Sequence, residues 1–334
     1  MSDFIDKVRQ TAADYGMLDG NSAVCTALSG GADSVSLLLA MKTLSAERGF
    51  TLSACHLNHG LRGEESDGDQ RFCEELCARL GTPLITKKVN IAELSDKHES
   101  VEETARRVRY EFFREALSTP GENAVLATAH TANDNTETVL INAVRGTGLA
   151  GLCGIPPVRA LGEFKVIRPL LGCTRTDVEK FLAENGQGYV TDSTNLSEEY
   201  TRNKIRRRVL PEIAEINPSI LEVFGRMCRT LREDNAFLEE TAERALNENR
   251  AGRGWNASEL AKLPAPIRSR AVRRILMEGG IEPSAQRINT ASELLTKRSA
   301  RYNPCKNRFF TIRKGVCFVE KIEQHYRRAN EKKK

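Results

Sequence analysis

Residues 23–41 read Ala23-Val24-Cys25-Thr26-Ala27-Leu28-Ser29-Gly30-Gly31-Ala32-Asp33-Ser34-Val35-Ser36-Leu37-Leu38-Leu39-Ala40-Met41. A short apolar run of β type gives way, across two glycines, to an apolar run of helical type. Paired glycines admit backbone angles closed to other residues, so successive N–H groups can converge on one anion. The helix that begins near Asp33 turns the positive end of its dipole to the same spot, and Ser29 and Ser34 add hydroxyl donors. The pattern therefore predicts a strand, a phosphate cradle built from Ser29, Gly30, Gly31, Ala32, Asp33 and Ser34, and a helix. It is not the Walker A loop, because no Gly-Lys-Ser/Thr follows and no lysine stands ready for a terminal phosphate.

Outward from this junction, β-type runs alternate with helical patterns from about residue 20 to 145. The expected strands are 22–28, 52–57, 83–86 and 124–128, with helices near 33–47, 66–80 and 100–118. Ser100 and Glu103 have the spacing of a capping box at the start of the third helix, and Pro120-Gly121 closes the connection after it. Such alternation implies an α/β fold with a doubly wound, mostly parallel sheet, whose ligands lie beyond the carboxyl ends of the strands. After Arg145-Gly146-Thr147-Gly148-Leu149 the pattern loosens to about 172, and a short helix begins near Thr174. From 201 onward the reading is mainly helical: 202–215, 218–249, 264–278 and 284–296, then a β-like pair at 309–312 and 316–319. Asn217-Pro218 and Gly252-Arg253-Gly254 are the clearest breaks, and the tail from Arg327 reads as frayed.

At 334 residues the chain has room for two domains. They are expected at 1–200, catalytic, and 201–334, mainly helical. The formal charge of +5 joins two unlike parts: residues 1–200 carry 20 Lys/Arg against 29 Asp/Glu, net −9, and residues 201–334 carry 30 against 16, net +14. That polarity points to a polyanion held mainly by the C-terminal part, or to a solvated basic face. Nine cysteines without a CxxC pair form neither a disulfide framework nor a zinc ribbon, which suits a reducing cytoplasm. The start, Met1-Ser2-Asp3-Phe4, shows no leader pattern, and no apolar stretch approaches the roughly 20 residues of a membrane span, so no membrane partner is expected.

Two further constellations follow strand ends. His56-Leu57-Asn58-His59-Gly60-Leu61-Arg62 places a cation and imidazoles where a loop would overhang a nucleotide. Ala129-His130-Thr131-Ala132-Asn133-Asp134-Asn135-Thr136-Glu137-Thr138 puts Asp134 and Glu137 three apart, on one helix face. With Asp33 these carboxylates can hold Mg²⁺ or receive a cationic substrate, or they are simply the acids that a helix start favours.

The six residues 29–34 resemble the SGGxDS pyrophosphate-binding loop of the N-type ATP pyrophosphatases, the PP-loop superfamily. Taken in order with the loop at 56–62, Glu103-x-Ala105-Arg106-x-x-Arg109-Tyr110 and the run at 129–138, the chain resembles the tRNA(Ile)-lysidine synthetase family. The likeness continues through Arg145–Leu149, Arg168-Pro169-Leu170-Leu171, Asp192-Ser193-Thr194-Asn195 and Tyr200-Thr201-Arg202-Asn203-Lys204-Ile205-Arg206. SGGxDS marks only the superfamily, whereas the later motifs are far more specific.

The resemblance implies a ligase that uses ATP and Mg²⁺ to adenylate the C2 oxygen of the wobble cytidine in a CAU-anticodon isoleucine tRNA. Free L-lysine then displaces AMP. On this reading ATP meets residues 29–34, His56, Asn58 and Arg109, the metal meets Asp33 and Asp134, and the lysine ammonium meets Asp134 and Glu137. His130 is a candidate base, and Arg202, Lys204, Arg206, Arg207 and Arg208 meet tRNA, with more distant contacts around Arg268–Arg274. A homodimer is one candidate assembly. The chain departs from the family's pattern at Asn133, where an aspartate is usual, which puts a metal role for that position in doubt. It also looks like the shorter form, without a further C-terminal domain. The rival readings are a tRNA thiolase of the same superfamily, a non-catalytic tRNA-binding module, and ATP-dependent amidation of a small molecule.

Overall fold

The computed structural model describes residues 3–60, 63–94, 99–118, 123–191 and 201–321. Arg62, Pro120-Gly121, Asp192–Asn195, Tyr200 and the tail from Arg327 lie outside them. The chain folds as two compact units, Met1–Leu231 and Arg232–Lys334, so the division falls beyond the boundary expected after residue 200, inside one long helix.

In the first unit α1 (Asp3–Asp14) precedes β1 (Ala23–Ala27), α2 (Ala32–Arg48), β2 (Thr51–Asn58), α3 (Glu64–Leu80), β3 (Leu84–Lys88), α4 (Ile91–Leu94), α5 (Val101–Ser118), β4 (Ala124–Ala127) and α6 (Ala132–Val144). Then come α7 (Leu149–Leu152), the hairpin β5 (Val158–Leu161) and β6 (Phe164–Ile167), a 3₁₀ turn Pro169–Gly172 and α8 (Arg175–Glu184). The sheet order is β3-β2-β1-β4-β6-β5, parallel except for the antiparallel edge strand β5. Chain order reverses between β1 and β4, so the ends of these two strands open a crevice that neither crossover covers. The four expected strands are present; β5 and β6 fall in the segment that the sequence left without structure.

Alternation along β1 explains its burial on both faces. Val24 faces a core with Val8, Leu38, Met41, Leu76 and Phe181 from α1, α2, α3 and α8, whereas Cys25 faces Phe112, Phe113 and Leu117 of α5. α2 is apolar nearly all round, with Val35, Leu37, Leu38, Met41 and Leu44 fully buried, which pins the cradle at its start to the centre of the unit.

The expected helix at 202–215 is α9 (Thr201–Lys204), a π turn Ile205–Val209 and α10 (Leu210–Ile216). Pro211 accounts for the widening: its ring would clash with the Arg207 carbonyl in an α-turn, and the Leu210 amide bonds instead to Ile205, five residues back. α11 (Ile220–Glu248) follows.

The second unit comprises β7 (Arg250–Ala251), β8 (Gly254–Asn256), α12 (Ala257–Lys262), α13 (Ala265–Glu278), α14 (Ala285–Leu294), β9 (Ala300–Cys305), β10 (Arg308–Arg313) and β11 (Val316–Lys321). The β-like pair of the sequence is thus the centre of a five-stranded antiparallel sheet, β7-β8-β11-β10-β9, added to the expected helices. Phe310, Ile312 and Cys317 alternate onto the face that packs with Leu260, Val272, Ile275 and Leu276. Among the described residues no helix is long and apolar enough to cross a membrane.

Candidate active site

β1 ends in the cradle. Gly30 sits at φ +89°, a conformation side chains rarely adopt, and Gly31 caps α2 in extended geometry. The Ser34 hydroxyl accepts from the Ser29 amide (3.1 Å), donates to the Gly31 carbonyl (2.9 Å) and lies 3.1 Å from the Ser29 hydroxyl. These bonds hold the loop open, and Val190 N–H donates to the Gly30 carbonyl from above (2.9 Å). A cavity of about 440 Å³ opens over the cradle, lined among others by Ser29, Gly31, Asp33, Asp69, His130, Asp134, Arg175 and Arg202.

Asp33 stands in the first turn of α2 at the cavity edge. Its Oδ2 accepts from Arg175 Nη1 at 2.8 Å, and its Oδ1 is buried with no hydrogen-bond partner among the described residues. Burial pushes its pKa up, against the opposing pull of Arg175. An orphaned hard oxygen beside a phosphate cradle fits Mg²⁺, which typically takes one or two carboxylates and completes its shell with substrate phosphates and water. Among the described residues no three His, Cys, Asp or Glu side chains gather as a protein-only cage. Asn133 is turned elsewhere: its Oδ1 accepts from the Arg175 amide at 2.8 Å, tying α6 to the start of α8.

Asp134 and Glu137 do share a face of α6, and their partners separate them. Asp134 Oδ2 completes a capping box with Thr131, accepting from its amide at 2.9 Å, while Oδ1 is 3.5 Å from Arg202 and 3.4 Å from Arg206. Glu137 is fully buried; Oε1 accepts from Arg206 Nε at 2.6 Å and Oε2 from Arg202 Nε at 2.8 Å. That pairing raises the Arg206 pKa further. Asp134 lines the cavity and Glu137 does not. Two of the five arginines and lysines expected on tRNA are therefore committed to the acids of α6, and Lys204, Arg207 and Arg208 are exposed. Arg270, Arg273 and Arg274 in the more distant patch converge on Glu239.

A second cavity, of about 570 Å³, shares Ala27, Ser29, Asp69 and His130 with the first and runs past the end of β2. Leu57, Phe113 and Val166 form apolar walls, and Arg106, Arg109 and Arg168 bring positive charge. His56 Nδ1 lies 2.9 Å from the Leu28 carbonyl, so Nδ1 donates; Nε2, then an acceptor, is buried without a partner among the described residues. Burial lowers the His56 pKa, and burial takes His59 and His130 down to about 4. All three imidazoles are therefore neutral near pH 7. Arg109 reaches His59 Nε2 at 3.3 Å. Asn58 lines the cavity, yet its amide is used inside the protein: it donates to Ser66, Asp67 and Gln70 and accepts from the Gly60 amide. Its visible role is to clamp the loop after β2. Arg168 is nearly buried and pushed down to about 10 by burial. Sequence reading singled out neither it nor Arg106 and Arg175 as site residues; their only signal was membership of the motifs, or in Arg175 the position just past a helix cap.

Residues 2–213 match the PP-loop domain family. The chain is similar to the tRNA(Ile)-lysidine synthase of Dehalococcoides mccartyi, 41% identical over 241 residues that cover 70% of this chain and 51% of that protein. A synthase of the same name from Bacteroides thetaiotaomicron is 45% identical over 195 residues, covering 58% and 44%. That of Bacillus subtilis is 34% identical over 261 residues, covering 76% and 55%. The chain thus spans about half the length of the curated relatives it matches. Among solved structures, the U34-tRNA thiolase NcsA of Methanococcus maripaludis superposes with a TM-score of 0.54 at 20% identity, over 68% of this chain and 78% of that one, a likeness of fold. With its cradle, strand order and a match that takes in well over half of its length, the chain belongs to the ATP-binding PP-loop domain family.

Proposed function

We propose that the protein joins free lysine to C2 of the wobble cytidine of a CAU-anticodon isoleucine tRNA. In the first step the C2 oxygen attacks the α-phosphorus of ATP, the α–β bridge bond breaks, and pyrophosphate leaves. In the second, the lysine ε-amine attacks C2, AMP departs with the oxygen, and the amine loses a proton. The relatives' names motivate this reading. The observation that carries it is the placement of Asp134 in the same cavity as the Ser29–Ser34 cradle, so that one chamber takes a polyphosphate at one wall and a cationic amino acid at the other.

The cradle donors and the start of α2 receive the departing pyrophosphate. Asp33 would hold Mg²⁺, which supplies charge neutralisation on the phosphates when bound. The second cavity takes the adenosine and the cytidine, with apolar walls for the bases and Arg106, Arg109 and Arg168 for backbone phosphate and the developing negative charge. Asp134 receives the lysine ammonium, and Glu137 acts behind it by fixing Arg202 and Arg206. His130, at about 4, is neutral and can accept a hydrogen bond from the incoming amine, but it is too weak a base to keep its proton at neutral pH. Lys204, Arg207 and Arg208 meet tRNA phosphates.

Incubation with radiolabelled lysine, ATP–Mg²⁺ and bulk tRNA tests the proposal: label enters tRNA only with ATP present, and pyrophosphate release precedes lysine addition. ATP-dependent label in a small molecule, or none at all, would reject it. The thiolase reading finds less support, because the one thiol lining the second cavity among the described residues, Cys55, is held protonated by its hydrogen bond with Cys25 and by burial.

A further inference from the structure

Two arginines line the first cavity, and they are tied down differently. Arg202 is committed to the fully buried Glu137. Arg175 is fixed at its base and loose at its tip. Its amide donates to Asn133, Thr174 before it caps α8 with Asp177, and Lys7 from α1 holds Asp177 at 2.8 Å. Its side chain, by contrast, is 42% exposed, and among the described residues its guanidinium bonds only carboxylates: Glu179 through Nε at 2.9 Å, and Asp33 through Nη1 at 2.8 Å.

The partner on Asp33 is the informative one. Asp33 has one oxygen on Arg175 and the other buried and unpartnered at the cradle. A guanidinium and a divalent cation on the two oxygens of one carboxylate repel each other, and a polyphosphate placed beside them attracts both. Asn133 fits this arrangement, because a neutral amide anchors the Arg175 backbone without adding an anion to hold its charge back.

We propose that Arg175 is a phosphate-binding residue that serves Asp33 as a stand-in cation until substrate arrives. In the nucleotide-free protein its guanidinium neutralises Asp33; when the cradle fills, it exchanges that carboxylate for the oxygens of the departing pyrophosphate. Arg175 thereby keeps a bare metal ion from settling on Asp33 and makes metal and polyphosphate enter together. The proposal rests on the assignment of the cradle to a metal-bound triphosphate.

The test uses the full chain and the variants Arg175→Gln and Arg175→Lys, with equal thermal midpoints as the check on folding. Mn²⁺ titration of the nucleotide-free protein, followed by electron paramagnetic resonance, should show Arg175→Gln binding about tenfold tighter, because the competing cation is gone. Adding Asp33→Asn to that variant should abolish the gain. Calorimetry with inorganic pyrophosphate and Mg²⁺ should show about 10- to 100-fold weaker binding in Arg175→Gln, most of it retained in Arg175→Lys, and AMP binding unchanged. Unchanged or weaker Mn²⁺ binding, or equal losses for pyrophosphate and AMP, would overturn the proposal and make Arg175 a structural tie. Wild-type protein that binds neither pyrophosphate nor AMP would overturn the triphosphate reading itself, and the proposal with it.

Discussion

Arg206 Nε donates to Glu137 Oε1 at 2.6 Å, and the two residues stand 69 positions apart in a chain where Glu137 has no exposed surface. A carboxyl group buried to that degree needs strong partners on both oxygens, and Arg202 completes the set. The pair fastens the turn Ile205–Val209 to α6, the helix that also carries the cavity-lining Asp134.

Glu137→Gln should therefore act on structure. It leaves Arg202 and Arg206 without that anion; since both side chains are about 43–44% exposed, the expected loss is about 1–3 kcal/mol rather than the full cost of a buried orphan charge. A lower urea midpoint, with the KM values for lysine and ATP raised alike, is the expected result. An unchanged midpoint with only the lysine KM raised would place lysine on Glu137.

Asp134→Asn separates the two acids. Removing one carboxylate from an ammonium site should raise the lysine KM by about 10- to 150-fold and the ATP KM far less, a difference that steady-state kinetics with each substrate varied would reveal.

Asp33→Ala should abolish ATP–pyrophosphate turnover while tRNA affinity stays within about twofold, because the orphaned oxygen lies at the cradle and the exposed basic residues Lys204, Arg207 and Arg208 do not. Filter binding of tRNA alongside pyrophosphate release checks it, and turnover retained within about threefold would exclude Asp33 from the metal site.

The histidines make stability depend on pH. With folded values of about 4 for His59 and His130 against the ordinary 6.5, the unfolded chain binds more protons between those limits. Their contribution is complete above pH 6.5 and is lost as pH falls towards 4, with a slope of at most about 1.4 kcal/mol per pH unit for each group. His130→Gln should flatten the fall of the urea midpoint between pH 6.5 and 4; an identical slope would mean that His130 titrates normally.

Neutralising Lys204, Arg207 and Arg208 together should weaken tRNA binding and lower the salt slope of log K by about two to three units if each meets one phosphate. Arg202→Gln, whose charge is already taken by Glu137 and Asp134, should cost turnover and leave the slope unchanged. Equal effects from both changes would mean that the acids of α6 release their arginines to tRNA.

Local pattern was enough for the parts of this protein that are made locally. Apolar runs of period two and 3.6, two glycines at a strand end and a capping box determined the cradle, α2, α5 and the four strands around β1. The strands β5 and β6 escaped because each is four residues long and lies among glycines and prolines, so the pairing of β6 with β4, and of β5 with β6, supplies the order that their own sequence lacks. The sheet of the second unit was only partly visible: β7 has two residues and β8 three, and β9, six residues long, carries Pro304 within its run.

The candidate site divides along the same line. That Ser29–Ser34 forms a cradle suited to an anion follows from residues adjacent in the chain, whose backbone geometry needs nothing distant. Which acid faces the cavity, and which arginines are already spoken for, depended on contacts such as Arg175 with Asp33 and Arg202 with Glu137, which are separated by 142 and 65 residues. Charge counting sees the same guanidinium whether it is paired or open to solvent. Only the tertiary structure decided between those states, because burial, and with it the demand for a partner, is a property of the packed chain.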